Sequence, residues 1–173
     1  MARQPAGAAM IRAVLFDWGD TLMRDLPAQH GPMCDWPAVE PMPGAAETLT
    51  ALRRRGLRTA LATNAADSDE AQIRRALRRG GLEHALDAVF CARALGCRKP
   101  EPAFFAACCA QLGLPPAAVL MVGDDLQADV LGAQAAGLSA LWLRVAAPRI
   151  VGVQAIDALA ALPALLAAGQ PPA

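Results

Sequence analysis

The sixteen cationic residues of this 173-residue chain include a single lysine, Lys99, so the other fifteen are arginine. The chain also lacks net charge, sixteen acidic side chains balancing the sixteen basic ones. That excludes the basic footprint of a nucleic-acid-binding domain. The arginine runs Arg53-Arg54-Arg55 and Arg74-Arg75 with Arg78-Arg79 read instead as solvated helix faces, with positive charge in last turns where the helix dipole favours it. No apolar run reaches the roughly 18 residues that would cross a bilayer, and no secretory leader pattern opens the chain. The five cysteines, Cys34, Cys91, Cys97, Cys108 and Cys109, are odd in number and lack metal-ligand spacing, and Cys108 and Cys109 read as small buried apolar residues. A reducing cytoplasm is the expected setting. His30, Cys34 and Asp35 fit no zinc pattern and read as solvated loop residues.

What is present is alternation. At 55% hydrophobic and 18% charged the chain is expected to be globular, one domain over residues 1–173 and too short for a large second module. Short apolar runs near 11–16, 57–62, 88–91, 119–122 and 139–143 read as buried strands. Helical stretches separate them: 44–55, a helix capped by Asp67 or Ser68 and running to Arg79, then Pro102–Leu112, 127–136 and a terminal 156–168. Such alternation predicts an α/β fold, a doubly wound, Rossmann-like parallel sheet with helices on both faces. Residues 1–9 read as disordered and the final Pro-Pro-Ala as frayed. Residues 23–43 carry Pro27, Pro32, Pro37, Pro41 and Pro43 without a helical period, and read as an ordered loop over the site, with Met33 and Trp36 as candidate entrance residues.

The first run, Ile11 to Phe16, ends abruptly in Asp17-Trp18-Gly19-Asp20-Thr21. A carboxylate at the carboxyl end of a parallel strand lies where open α/β sheets hold ligands, which makes Asp17 the candidate reactive group. Three further stretches follow: Leu61-Ala62-Thr63-Asn64, Arg98-Lys99-Pro100, and Val119 through Gly123-Asp124-Asp125 to Asp129. Together they resemble, in order and spacing, the motifs of the haloacid dehalogenase-like superfamily of phosphohydrolases. The resemblance covers about residues 11 to 145. It implies the strand order 3-2-1-4-5, which sets the first and fourth strands side by side, and the absence of a large cap, 23–43 standing in its place.

The resemblance also implies roles. Asp17 would be the nucleophile of an aspartyl-phosphate mechanism on a small phosphorylated substrate. Mg²⁺ would be held by Asp17, the Gly19 carbonyl and Asp124. Thr63 and Asn64 would bind the phosphoryl group, and Lys99 would bridge it to the carboxylates, a task suited to a compact ammonium. Asp125 and Asp129 would act behind them, Asp129 the better fitted by spacing. No nucleic acid, no membrane, and a monomer or homodimer are expected.

One position departs from the pattern. Gly19 stands where the family carries the second Asp of its first motif, the group that protonates the leaving group and then activates water. Proton transfer of this kind is worth about 10²- to 10⁴-fold. Three outcomes stay open. Asp20 swings into the role, although one residue along an extended segment its side chain points to the other face; the substrate has a leaving group that needs no acid; or turnover is slow, the chain being a weakly active or non-catalytic binding module. Branches that also lack this Asp fit poorly, since a phosphonatase needs a second lysine and dehalogenases carry a larger cap.

Overall fold

The computed structural model describes residues 10–168. The expectations for 1–9 and for the Pro-Pro-Ala end lie outside the described residues.

Six parallel strands form one sheet: β1 (Ala13–Phe16), β2 (Arg58–Thr63), β3 (Ala88–Cys91), β4 (Val119–Gly123), β5 (Ser139–Leu143) and β6 (Ala155–Ile156), in the order β3-β2-β1-β4-β5-β6. The expected order is present, with a sixth strand added at one edge. Strand side chains alternate, so β1 sends Val14 and Phe16 to one face, and Ala13 and Leu15 to the other. On the first face they meet Leu49 and Leu52 of α1 (Ala45–Arg54), Ile73 and Leu77 of α2 (Glu70–Arg79) and Leu162 of α6 (Leu162–Ala167). On the second they meet Phe104, Phe105, Cys108 and Leu112 of α4 (Pro102–Leu112) and Ala133 of α5 (Gly132–Ala135). A short helix, α3 (Ala92–Leu95), follows β3. No helix of the described residues is long and apolar enough to cross a membrane.

Four local expectations are corrected. Helix α2 is capped by Asp69, not by Asp67 or Ser68: its carboxylate accepts from Gln72 N at 2.8 Å while Gln72 Oε1 accepts from Asp69 N at 2.9 Å, a reciprocal box that satisfies two otherwise unpaired donors. The helix expected over 127–136 opens as a π-helical turn, Leu126–Leu131, before tightening into α5. The terminal helix is shorter, because Ala155–Ile156 pairs with Trp142–Leu143 to bury Ile156, and helix resumes only at Leu162, where Pro163 suits a first turn. Met33, Cys34 and Trp36 are not entrance or solvated loop residues; they are buried in the core beside α2.

Arg79 explains how the proline-rich loop is held. Its guanidinium donates to the carbonyls of Cys34 at 2.8 Å, Trp36 at 2.7 Å and Pro37 at 3.2 Å, and Arg75 reaches Asp35 at 2.7 Å. Arg75 and Arg79, one turn apart on α2, thus fasten a segment that has few backbone bonds of its own.

Candidate active site

The strand order carries β1 and β4 side by side, and their carboxyl ends deliver Asp17 and Asp124. The ladder runs on past β1, Asp17 N donating to Val122 O at 2.9 Å. The chain then reverses around the Trp18 carbonyl, which accepts from Leu22 N at 3.0 Å and Met23 N at 2.9 Å. The reversal brings the Thr21 hydroxyl to 3.4 Å from Asp17 Oδ2 and 3.3 Å from Asp124 Oδ1.

Lys99 lies at the centre. Its ammonium donates to Asp17 Oδ1 at 2.7 Å, Asp129 Oδ1 at 2.6 Å and the Ala62 carbonyl at 2.7 Å, using all three protons, and the residue is 2% exposed. Burial alone would lower its pKa; the charges of Asp17 and Asp129 outweigh that and raise it. The backbone that carries Lys99 is clasped by Asn64, whose side chain donates to Lys99 O and accepts from Lys99 N, both at 2.8 Å. Asn64 is expected from the sequence to bind the phosphoryl group; the clasp is an additional task that sequence reasoning missed.

Two glycines permit close approaches. A Cβ on Gly123 would stand 2.1 Å from Asp129 Oδ2, and one on Gly132 would stand 2.6 Å from Pro100 Cβ. The first lets the 1%-exposed Asp129 tuck beneath β4, where it also accepts from Asp125 N at 3.0 Å. The second lets the helix after β4 press on the loop that holds Lys99.

The remaining candidates are placed as follows. Thr63 is buried at the end of β2 and its Oγ1 accepts from Ala65 N at 3.1 Å, which leaves the hydroxyl proton to donate elsewhere. Asp125 is exposed and its side chain caps the π-helical turn, accepting from Gln127 N at 2.9 Å and Ala128 N at 2.8 Å. Asp20 does not sit on an extended segment. It takes a left-handed backbone with φ 54°, and its Oδ1 accepts from Asp25 N at 3.0 Å. Among the described residues no hydrogen bond ends on the Gly19 carbonyl.

The electrostatics are one-sided. Oxygens of Asp17, Asp124 and Asp129 lie within 4.8 Å of one another, and a single ammonium is bonded to two of the three, Asp17 and Asp129. Burial first, and then the charge of Asp17, push the Asp124 carboxyl up to about 6; the same two causes push Asp129 up to about 7 against the pull of Lys99. An all-oxygen donor set with excess negative charge fits a hard divalent cation such as Mg²⁺. Asp17 and Asp124 keep partial access to solvent, whereas Asp129 is enclosed.

Comparison with known proteins bears on this arrangement. Residues 33–137 match the model of the haloacid dehalogenase-like hydrolases. Over 101 residues the chain is 38% identical to a phosphoserine phosphatase of Thermus thermophilus, a stretch that is 58% of this chain and 39% of that protein. The chain spans about two fifths of the length of the curated relatives it matches. Among solved structures, an uncharacterized protein from Listeria monocytogenes serotype 4b superposes with a TM-score of 0.80 at 26% identity, covering 91% of this chain and 98% of that one. A HAD phosphatase from Thermococcus onnurineus superposes with a TM-score of 0.66 at 30% identity, over 74% of this chain and 59% of its own.

Proposed function

Because this chain belongs to the haloacid dehalogenase-like hydrolases, we propose that it hydrolyses a small phosphorylated substrate by passing the phosphoryl group through Asp17. The observation that carries the reading is the buried Lys99 ammonium, bonded at once to Asp17 and Asp129. A buried lysine between two carboxylates neutralises and orients the nucleophile, and also presents positive charge to an arriving phosphate.

Asp17 attacks phosphorus in line, the bond to the leaving oxygen breaks, and water later cleaves the acyl phosphate. Thr63, at the end of β2, donates its hydroxyl proton to an equatorial oxygen, beside the Asn64 backbone N–H. Lys99 holds one Asp17 oxygen, leaving the other for attack. Asp129 fixes Lys99, and Asp125 secures the turn that carries Asp129. Asp17, Asp124 and the Gly19 carbonyl would hold Mg²⁺, which supplies charge neutralisation between the carboxylates and the phosphate. The short 23–43 segment, in place of a cap, leaves the leaving-group side open. The names of the curated relatives favour a phosphomonoester of a small metabolite.

The test is Mg²⁺-dependent hydrolysis of p-nitrophenyl phosphate and acetyl phosphate, abolished in Asp17→Asn. Wild-type protein that releases no phosphate from either at high concentration refutes the reading. A second reading, a binding module with little turnover, draws on the missing side chain at Gly19. It requires Gly19→Asp to raise turnover by about tenfold or more.

A further inference from the structure

We propose that Asp25 is the acid and base of this site, placed in the space that Gly19 leaves vacant and held there by Asp20. The proposal rests on phosphoryl transfer through Asp17 and adds the proton carrier that this transfer otherwise lacks. A Cβ built on Gly19 would stand 3.6 Å from Asp25 Cβ and 3.8 Å from both Asp25 Cγ and Oδ2. The Asp25 carboxyl group therefore lies within one side-chain length of where a carboxylate on residue 19 would begin.

Two contacts put it there. The reversal around Trp18 pairs Gly19 with Met23, Asp20 N donating to Met23 O at 2.7 Å, so the chain doubles back alongside itself. Asp20 Oδ1 then accepts from Asp25 N at 3.0 Å, fixing the backbone from which the Asp25 side chain projects. Asp20 is a positioning residue, its left-handed backbone turned to this bond. Gly19 is two residues from Asp17, at most ~7 Å along the chain. Asp25 is exposed, and its carboxylate takes part in no ion pair among the described residues. The other carboxylates near Asp17 are engaged: Asp129 with Lys99, Asp20 with the Asp25 backbone, and Asp124 with the Thr21 hydroxyl on the cation side.

The proton balance closes. As Asp17 Oδ2 bonds to phosphorus and the phosphorus–leaving-oxygen bond breaks, the Asp25 carboxyl proton passes to the leaving oxygen, which departs as an alcohol. Water then adds to phosphorus and gives its proton to the Asp25 carboxylate, and the bond from phosphorus to Asp17 breaks. Ester and water become alcohol and phosphate, with both aspartates restored.

The experiment compares Asp25→Asn with wild type on β-glycerophosphate, whose alkoxide leaving group needs a proton, and on p-nitrophenyl phosphate, whose leaving group does not. Asp25→Asn should lose about 10²- to 10⁴-fold on β-glycerophosphate. On p-nitrophenyl phosphate it should keep a burst of one p-nitrophenolate per enzyme followed by a slowed steady state, with phosphorylated protein visible by intact mass. Gly19→Asp in the Asp25→Asn background should restore β-glycerophosphate hydrolysis, whereas Gly19→Asp alone should give no gain. An Asp25→Asn enzyme with wild-type rates on both esters, while Asp17→Asn is dead, overturns this assignment and leaves the phosphatase reading standing. If wild type turns over neither ester, both fall together.

Discussion

Replacing Gly123 by alanine inserts one methyl group where the structure has no room for it. That carbon would stand 2.1 Å from Asp129 Oδ2, 2.3 Å from Cγ and 2.7 Å from Cβ. Non-bonded heavy atoms settle at about 3.5 Å, so Asp129 has to retreat by more than about 1 Å. Retreat stretches its 2.6 Å bond to Lys99 and its 3.0 Å bond from Asp125 N together. Overpacking alone costs about 1–3 kcal/mol, and depriving a buried charge of its partner costs about 3–5 kcal/mol. Lys99 keeps Asp17 and the Ala62 carbonyl, so we expect a loss of about 3 kcal/mol, within that span. Urea unfolding followed by tryptophan fluorescence reads it. Hydrolysis of p-nitrophenyl phosphate should fall by about 10²-fold, because a Lys99 ammonium no longer anchored by Asp129 shifts and takes Asp17 out of line. Adding Gly123→Ala to Asp129→Gly should cost almost nothing further, since the colliding side chain is gone together with its Cβ. Stability within about 0.5 kcal/mol of wild type for Gly123→Ala, or full additivity in the double variant, refutes the reasoning.

Three further outcomes are expected. Asn64→Ala removes both bonds to the Lys99 backbone and should destabilise by about 1–3 kcal/mol in urea, with a rise in hydrolytic KM as the loop loosens. Lys99→Arg should lose about 10²-fold in turnover, because a planar fork cannot reproduce three bonds radiating from one nitrogen in a buried site. Metal-free protein should lose stability as pH rises. Asp124 at about 6 and Asp129 at about 7 bind protons in the folded state that the unfolded chain, with aspartates near pKa ~3.9, has already released, so their contribution is full below about pH 4 and gone above about 7. Stabilisation by added Mg²⁺ should grow across the same interval, since the cation binds the ionised carboxylates. Thermal unfolding from pH 4 to 8, with and without Mg²⁺, checks both, and a Mg²⁺ shift independent of pH contradicts them.

The central strands were legible because each is a short apolar run ended by a polar residue, and burial on both faces demands that composition. The edge was not. Alanine-rich residues 155–168 carry no period that separates strand from helix, and only pairing with Trp142 and Leu143 decides the first two. Asp17 was legible from its place at a strand end, and the gathering of Lys99, Asp124 and Asp129 near it from the motifs that resemble the family. The duties of Asn64, Asp125 and Asp25 were not, since each depends on where the backbone turns. Asn64 meets a loop 35 residues away, Asp125 reaches amides of its own turn, and Asp25 meets Gly19 only because the chain doubles back at Trp18. Arg79 reads in the sequence as charge at a helix end, and the three carbonyls it serves lie in a loop that sequence could not dock.

Strand β1 sits between β2 and β4, and this sets a timetable for any chain made from its amino end. Lys99 is 82 residues downstream of Asp17, and β4 comes later still. Until then the acidic tip of β1 emerges from the ribosome without its counter-charge, and one side of that strand stays open to mispairing. On the proposed reaction, nascent fragments that stop short of Asp129 are therefore chemically mute, and Asp17 is armed only when the second half of the sheet closes beside it.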